Sequence, residues 1–200
     1  MASDRDDSRR VHRVGRPSVH DQRKREIVWA FIELVADKGL EHISLDDVAA
    51  AAGVQRAALR HFVGNREDLV SAAVAKITRR ALADTDTRLS FSEVIGMLFD
   101  PGRMESADVL DRAWGELLPE AMRSPATRKV IRESYDKLVS LIARTLRRQY
   151  PKASRSQIAD TAYAIACMAE QNYIFQRVGY PKARCKGLKE SALALSDRLA

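Results

Sequence analysis

The chain has 200 residues, 46% hydrophobic and 30% charged, which is enough for one compact unit or a small head on a larger body and is ordinary for a soluble helical protein. Its formal charge of +7 does not by itself point to nucleic acid: Lys/Arg and Asp/Glu are equal in number over residues 1–70, so the whole excess belongs to 71–200. The first 26 residues hold no apolar run, and the longest later run, 162–169, is far too short for a membrane span.

Residues 1–20 are polar, charged and without helical periodicity, the pattern of a flexible arm. Bases dominate from Arg9 to Arg25; Arg13 and Arg16 can follow a minor groove, and a solubilising tail explains the same composition. From Asp21 to Lys38, Ile27, Val28, Phe31, Ile32, Leu34 and Val35 recur at helical spacing, and Gly39 closes the helix. Ser44 with Asp47 forms a capping box that opens a short helix, its apolar side Val48, Ala49 and Ala52. Gly53 allows a sharp turn and Val54 plugs the corner. A second short helix then runs from about Gln55 to Val63. Its Ala58, Leu59 and Phe62 share one side, and Arg56, Ala57, Arg60 and His61 share the other. Two guanidinium groups one turn apart, beside a small residue and an imidazole, suit phosphates and guanine edges. Asn65 caps the next helix, with Asp68 at the capping-box position, and it continues from Arg66 to about Ala83.

Ser90 with Glu93 begins a short helix that Pro101-Gly102 must stop. Val109, Ala113, Trp114 and Leu117 mark another, interrupted near Pro119. Ser124-Pro125, cap then first-turn proline, starts a long helix that ends before Pro151. Ser154 with Gln157 opens one running to about Gly179, and the last spans about Ala183 to Leu199. Strand patterns and internal repeats are absent, so the fold class is all-α. In the final two helices, Ala162, Ala166 and Ala169 form a stripe of small residues, and Leu188, Ala192, Leu195 and Leu199 a second apolar stripe. These can pack within the chain or form a four-helix interface with a symmetry mate.

Ser44, Val48, Ala49, Ala52-Gly53-Val54, Leu59, Arg66 and Leu69, at this spacing, resemble the DNA-binding head of the TetR family of bacterial regulators. The likeness covers about the first third of the chain and is weak beyond it, where only length and helical content agree. There are departures. The family often has a small hydroxyl residue where Gln55 stands and a tyrosine where Arg60 stands; its frequent phosphate-contacting aromatic or histidine falls at Phe62, and a phenylalanine at Val63. Phe62 has no polar atom and is assigned to the core, while Arg60 can read a base or grip a phosphate.

The resemblance implies a basic arm (1–20), a three-helix helix-turn-helix head (21–66) and a larger effector-binding and dimerising body (67–200). It implies a homodimer on a roughly palindromic operator in double-stranded DNA, contacted through Arg13, Arg16, Ser44, Gln55, Arg56, Ala57, Arg60, His61 and Arg66. The interface would be the last two helices, through Ala162, Ala166, Ala169, Leu188, Ala192, Leu195 and Leu199. Its middle helices would enclose a small-molecule effector, lined by Met97, Phe99, Met104, Trp114, Met122, Tyr135, Tyr163, Met168 and Tyr173. Singly, each of these is more often plain core; together they suit a hydrophobic or aromatic effector. The basic run from Arg123 to Arg155 can attract an anion or form a solvated face. Most relatives repress, and release DNA when the effector binds.

No catalytic constellation, metal or cofactor is expected. His12, His20, His42 and His61 are scattered, and neither a glycine-rich phosphate loop nor a nucleophile elbow exists. Asp46-Asp47 and Asp108/Asp111 are accounted for by helix N-termini and solvated faces. Cys167 and Cys185 lack metal spacing and fit a reduced, cytoplasmic setting; Cys167 reads as packing, and Cys185, between Arg184 and Lys186, has the surroundings of a redox-sensitive thiol. Two other classes compete: a structural or nucleoid-associated DNA binder without an effector, and more distantly a small-molecule enzyme using the body's pocket.

Overall fold

The computed structural model describes residues 18–83, 89–100 and 109–200, without the side chains of 81–83, Lys182 and Cys185. Arg13, Arg16, Met104, the Pro101-Gly102 stop and the Cys185 thiol therefore lie outside the described residues. Among the described residues, all regular structure is helical. Helix α1 (Val19–Lys38) begins two residues before the expected Asp21, because Ser18 caps it by accepting from the Asp21 N–H at 3.1 Å. Gly39 ends it at φ 79, where a side chain would be strained, and the 3-10 turn Leu40–His42 follows. Then come α2 (Leu45–Ala51), α3 (Arg56–Phe62) and α4 (Arg66–Ala83).

The body contains α5 (Phe91–Leu98), α6 (Val109–Leu117), α7 (Glu120–Arg123), α8 (Pro125–Gln149), α9 (Arg155–Arg177) and α10 (Lys182–Asp197). Capping boxes at Ser90/Glu93 and Ser154/Gln157 start α5 and α9, and Ser124 with Pro125 starts α8, each as the local pattern requires. No helix among the described residues is long and apolar enough to cross a membrane.

Two apolar cores form. The first joins Ile27, Phe31, Ile32 and Val35 of α1 with Leu59 of α3 and Leu69, Ala73 and Val74 of α4, and continues into Leu110, Ala113 and Leu117 of α6. Head and body therefore share one core. The second joins Phe91 and Ile95 of α5, Ile142 and Leu146 of α8, Ile158 and Ile165 of α9, Ala192 of α10 and Leu199 just beyond it.

The small-residue stripe belongs to this second core. Ala162, Ala166, Ala169, Ala192 and Leu199 are buried within the chain, with Leu188 and Leu195 packed against them. Of the two readings left open above, intrachain packing is the one realised, because the alanines let α8 and α10 approach α9 closely. The opposite side of α9 carries the exposed apolar groups Tyr163, Ile174 and Phe175, and Val178 at its C-cap is exposed too. Cys167 lies on that side too and is exposed, not packed.

Candidate DNA interface and ligand cavity

The turn between α2 and α3 is made at Gly53, whose φ of 63 is left-handed, and the Val54 N–H donates back to the Ala49 carbonyl at 2.9 Å. At the start of α2 the Ser44 hydroxyl accepts from the Asp47 N–H at 3.1 Å while the Asp47 carboxylate accepts from the Ser44 N–H at 2.8 Å. The Ser44 hydroxyl, and then its N–H, hold the Asp47 carboxyl below its ordinary pKa. With Leu59 fully buried beneath α3, the side chains of Gln55, Arg56, Ala57, Arg60 and His61 are all exposed on its outer face. Phe62 packs against the core, as expected.

Arg56 is not loose. Its Nη1 pairs with Asp46 Oδ2 at 2.5 Å, linking α3 to α2. His61 meets the His20 ring edge-on, with centroids 5.9 Å apart, and His20 in turn lies 5.2 Å from Phe62. Sequence reasoning missed His20 as part of this surface by leaving it in the arm; the Ser18–Asp21 cap was the signal that α1 already includes it.

Arg66 departs from its expected role. Its guanidinium is half-buried and turned inward, donating to the carbonyls of Leu40 and Ile43. It fastens the 3-10 turn to α4, and its hydrogen-bonding nitrogens do not face a duplex. Ser44 remains at the surface, its hydroxyl committed to the capping box.

A cavity of about 140 Å³ lies at the seam of the two cores. Ile77 and Thr78 of α4, Trp114 of α6, Tyr135 and Leu138 of α8, and Glu170 and Tyr173 of α9 are among its walls. The Tyr135 hydroxyl donates to Glu170 Oε1 at 2.6 Å, and the Trp114 indole N–H reaches the same oxygen at 3.5 Å. Trp114 and Tyr135 stand edge to face, with centroids 6.0 Å apart. Burial, then the Glu170 charge and hydrogen bond, push the Tyr135 phenol far up, so it stays a protonated donor. Tyr173 donates to the Asp111 carbonyl at 2.8 Å, and burial raises its pKa as well.

Of the side chains proposed to line an effector site, Trp114, Tyr135 and Tyr173 do so. The other described ones go elsewhere. Phe99 is buried in the second core and Met168 packs against it; Met97 is half-buried and does not line the cavity. Met122 is 80% exposed and Tyr163 65% exposed, each on an outer helix face. Sequence reasoning missed Glu170, because a lone glutamate in a helix reads as solvated surface until its neighbours are known. No cluster of metal-ligating side chains is found among the described residues.

Two helices belong to both sites. Helix α4 carries Leu69 and Val70 in the head core and Ile77 and Thr78 at the cavity; α6 carries Leu117 in the same core and Trp114 at the cavity. Arg123 at the end of α7 pairs with Glu41 of the 3-10 turn at 2.8 Å.

The family model for bacterial regulatory proteins of the tetR family matches residues 27–73. Over 158 residues the chain is 25% identical to the HTH-type transcriptional regulator BetI of Cronobacter sakazakii, spanning 74% of this chain and 76% of that one. The structure of the multidrug binding protein EbrR complexed with imidazole is similar at a TM-score of 0.66 and 23% identity, over 88% of this chain and 91% of that one. A protein from Saccharomonospora viridis in complex with choline matches at 0.65 and 18%, over 88% and 96%. The matched head and its outward-facing recognition helix agree with this fold-level likeness of the body: residues 27–73 match the DNA-binding head of the TetR family, and over most of its length the chain is similar to transcriptional regulators of that family.

Proposed function

We propose that the chain acts as a homodimeric repressor that releases a near-palindromic DNA site when a small molecule enters the body cavity. The observation that carries this reading is the shared membership of α4 and α6, which wall the cavity and also build the core under α3. A ligand between Trp114 and Ile77 presses on both helices at once. It changes DNA affinity only by the difference in its own affinity for the two head arrangements, a coupling of about 1–3 kcal/mol in known cases. The EbrR and Saccharomonospora proteins, solved with imidazole and with choline, support small-molecule binding in this fold. The direction of control, repression relieved by the ligand, rests on the family resemblance.

Gln55, Arg56, Ala57 and Arg60 are assigned to base edges, with His61 and His20 toward phosphates. The dimer is assigned to the exposed apolar side of α9 around Tyr163, Ile174 and Val178. Selecting bound fragments from genomic DNA tests the reading. The expected product is a two-fold site with half-sites about 34 Å, or a multiple of that, apart. Recovery of fragments with no common sequence overturns it.

A further inference from the structure

We infer that the cavity takes an organic cation: a quaternary or protonated ammonium group on an apolar or aromatic body. The inference rests on the ligand-responsive reading and adds a charge to it. Three observations converge. Among the described residues, the ionisable side chains lining the cavity are Asp100, Asp111, Glu170 and two tyrosines, with no Lys, Arg or His among them, in a chain whose net charge is +7. The Glu170 carboxylate is half-buried and forms no ion pair among the described residues; both its hydrogen bonds arrive at Oε1. Around it stand Trp114, Tyr135 and Tyr173, whose ring faces attract a cation that has left water.

These features decide between ligand classes. A neutral aromatic would cover Glu170 and strip its water without neutralising it, which is costly. An anion would meet the half-buried Glu170 carboxylate. A cation offsets the desolvation of Glu170 and gains the ring faces, while Leu138 and Ala169 accept an apolar body. Arg177 already places its guanidinium 5.8 Å from the Tyr173 ring, but outside the cavity lining, donating to the Tyr173 hydroxyl and the Asp111 carbonyl. None of the Lys or Arg side chains between Arg123 and Arg155 lines the cavity, so the anionic ligand they suggested finds no support there.

The test uses the full-length protein and three probes of similar shape: benzyltrimethylammonium, its carbon isostere neopentylbenzene, and benzylphosphonate. Affinity is read by calorimetry, with tryptophan fluorescence in a Trp29→Phe background as a second signal. The expected result is a preference for the cation over its isostere of about tenfold or more, with the anion weakest. Glu170→Gln, which keeps shape and an acceptor, should remove most of that preference, by weakening the cation and by tightening neopentylbenzene, which then covers no charge. Equal affinity for cation and isostere, an unaltered preference in the variant, or no binding of the cation overturns the inference. Operator selection is read independently of these probes, so none of those results decides whether the chain binds a specific DNA site.

Discussion

Arg66 Nη1 donates to the carbonyl of Ile43, while Nη2 donates to that of Leu40, so one side chain at the start of α4 closes the 3-10 turn behind α1. The residue is set within the head's DNA-binding motif yet serves its rigidity. Arg66→Ala leaves two half-buried carbonyls without donors, and hydrogen bonds from charged groups are each worth about 1.5–3 kcal/mol. A loss of about 3 kcal/mol in urea unfolding is expected. At temperatures where the variant stays folded, the salt dependence of its DNA affinity should match wild type, because no phosphate contact has been removed. A shallower salt slope with unchanged stability would return Arg66 to the DNA surface.

Arg56 and Arg60 behave oppositely. Both are exposed on the outer face of α3, and the Arg56–Asp46 pair is open to solvent at both ends. Such a pair contributes at most about 1 kcal/mol, so alanine at either position should hardly move the unfolding midpoint. Base readout is another matter: a bidentate contact discriminates by about 1–3 kcal/mol. Each single variant should narrow the ratio of specific to non-specific binding about tenfold, and the double variant should abolish it. Gel shifts against scrambled competitor measure this, and an undiminished ratio removes the assignment.

What could be read from the sequence was what short-range chemistry decides. Ser44/Asp47, Ser90/Glu93 and Ser154/Gln157 each satisfy helix-end donors within four residues of chain, so the helix starts were legible. The inward and outward sides of α3 followed from period alone. Arg66 was misread because its partners lie 23 and 26 residues back, fixed by tertiary packing. The alanine stripe was ambiguous for a related reason: periodicity says that Ala162 and Ala166 share a side, not whether α10 or a second chain covers it. The aromatic residues of the cavity were recognised by type, but Glu170 becomes meaningful only beside Trp114 and Tyr135, which α6 and α8 bring to α9.

Asp47 gives the head a pH signature. Its carboxyl titrates below the ordinary 3.8 in the folded chain, because the ionised form accepts from Ser44. A depressed folded value means stability that is present above the unfolded pKa and lost as pH falls through the folded one. Wild type and Asp47→Ala should therefore differ at neutral pH and converge on acidification from about pH 4 downward. Thermal melts across that range follow the convergence; a constant offset would show that the side chain acts without its charge.

A double variant and a single one along α9 and its C-cap separate interface from core. Val178 is 69% exposed and Tyr163 65%, about four turns apart on the side away from α8 and α10. If a second chain covers this side, Val178→Glu together with Tyr163→Glu places like charges across a two-fold axis and should yield monomers by sedimentation. Operator affinity should fall with them, since paired heads are what lets two half-sites be held at once. Ala166 lies on the other side, 7% exposed in the second core. Ala166→Leu should overpack that core, costing about 1–3 kcal/mol in unfolding, without changing the sedimentation coefficient of the folded protein. The reverse pattern, monomers from Ala166→Leu and intact dimers from the double glutamate variant, would move the interface back to the alanine stripe.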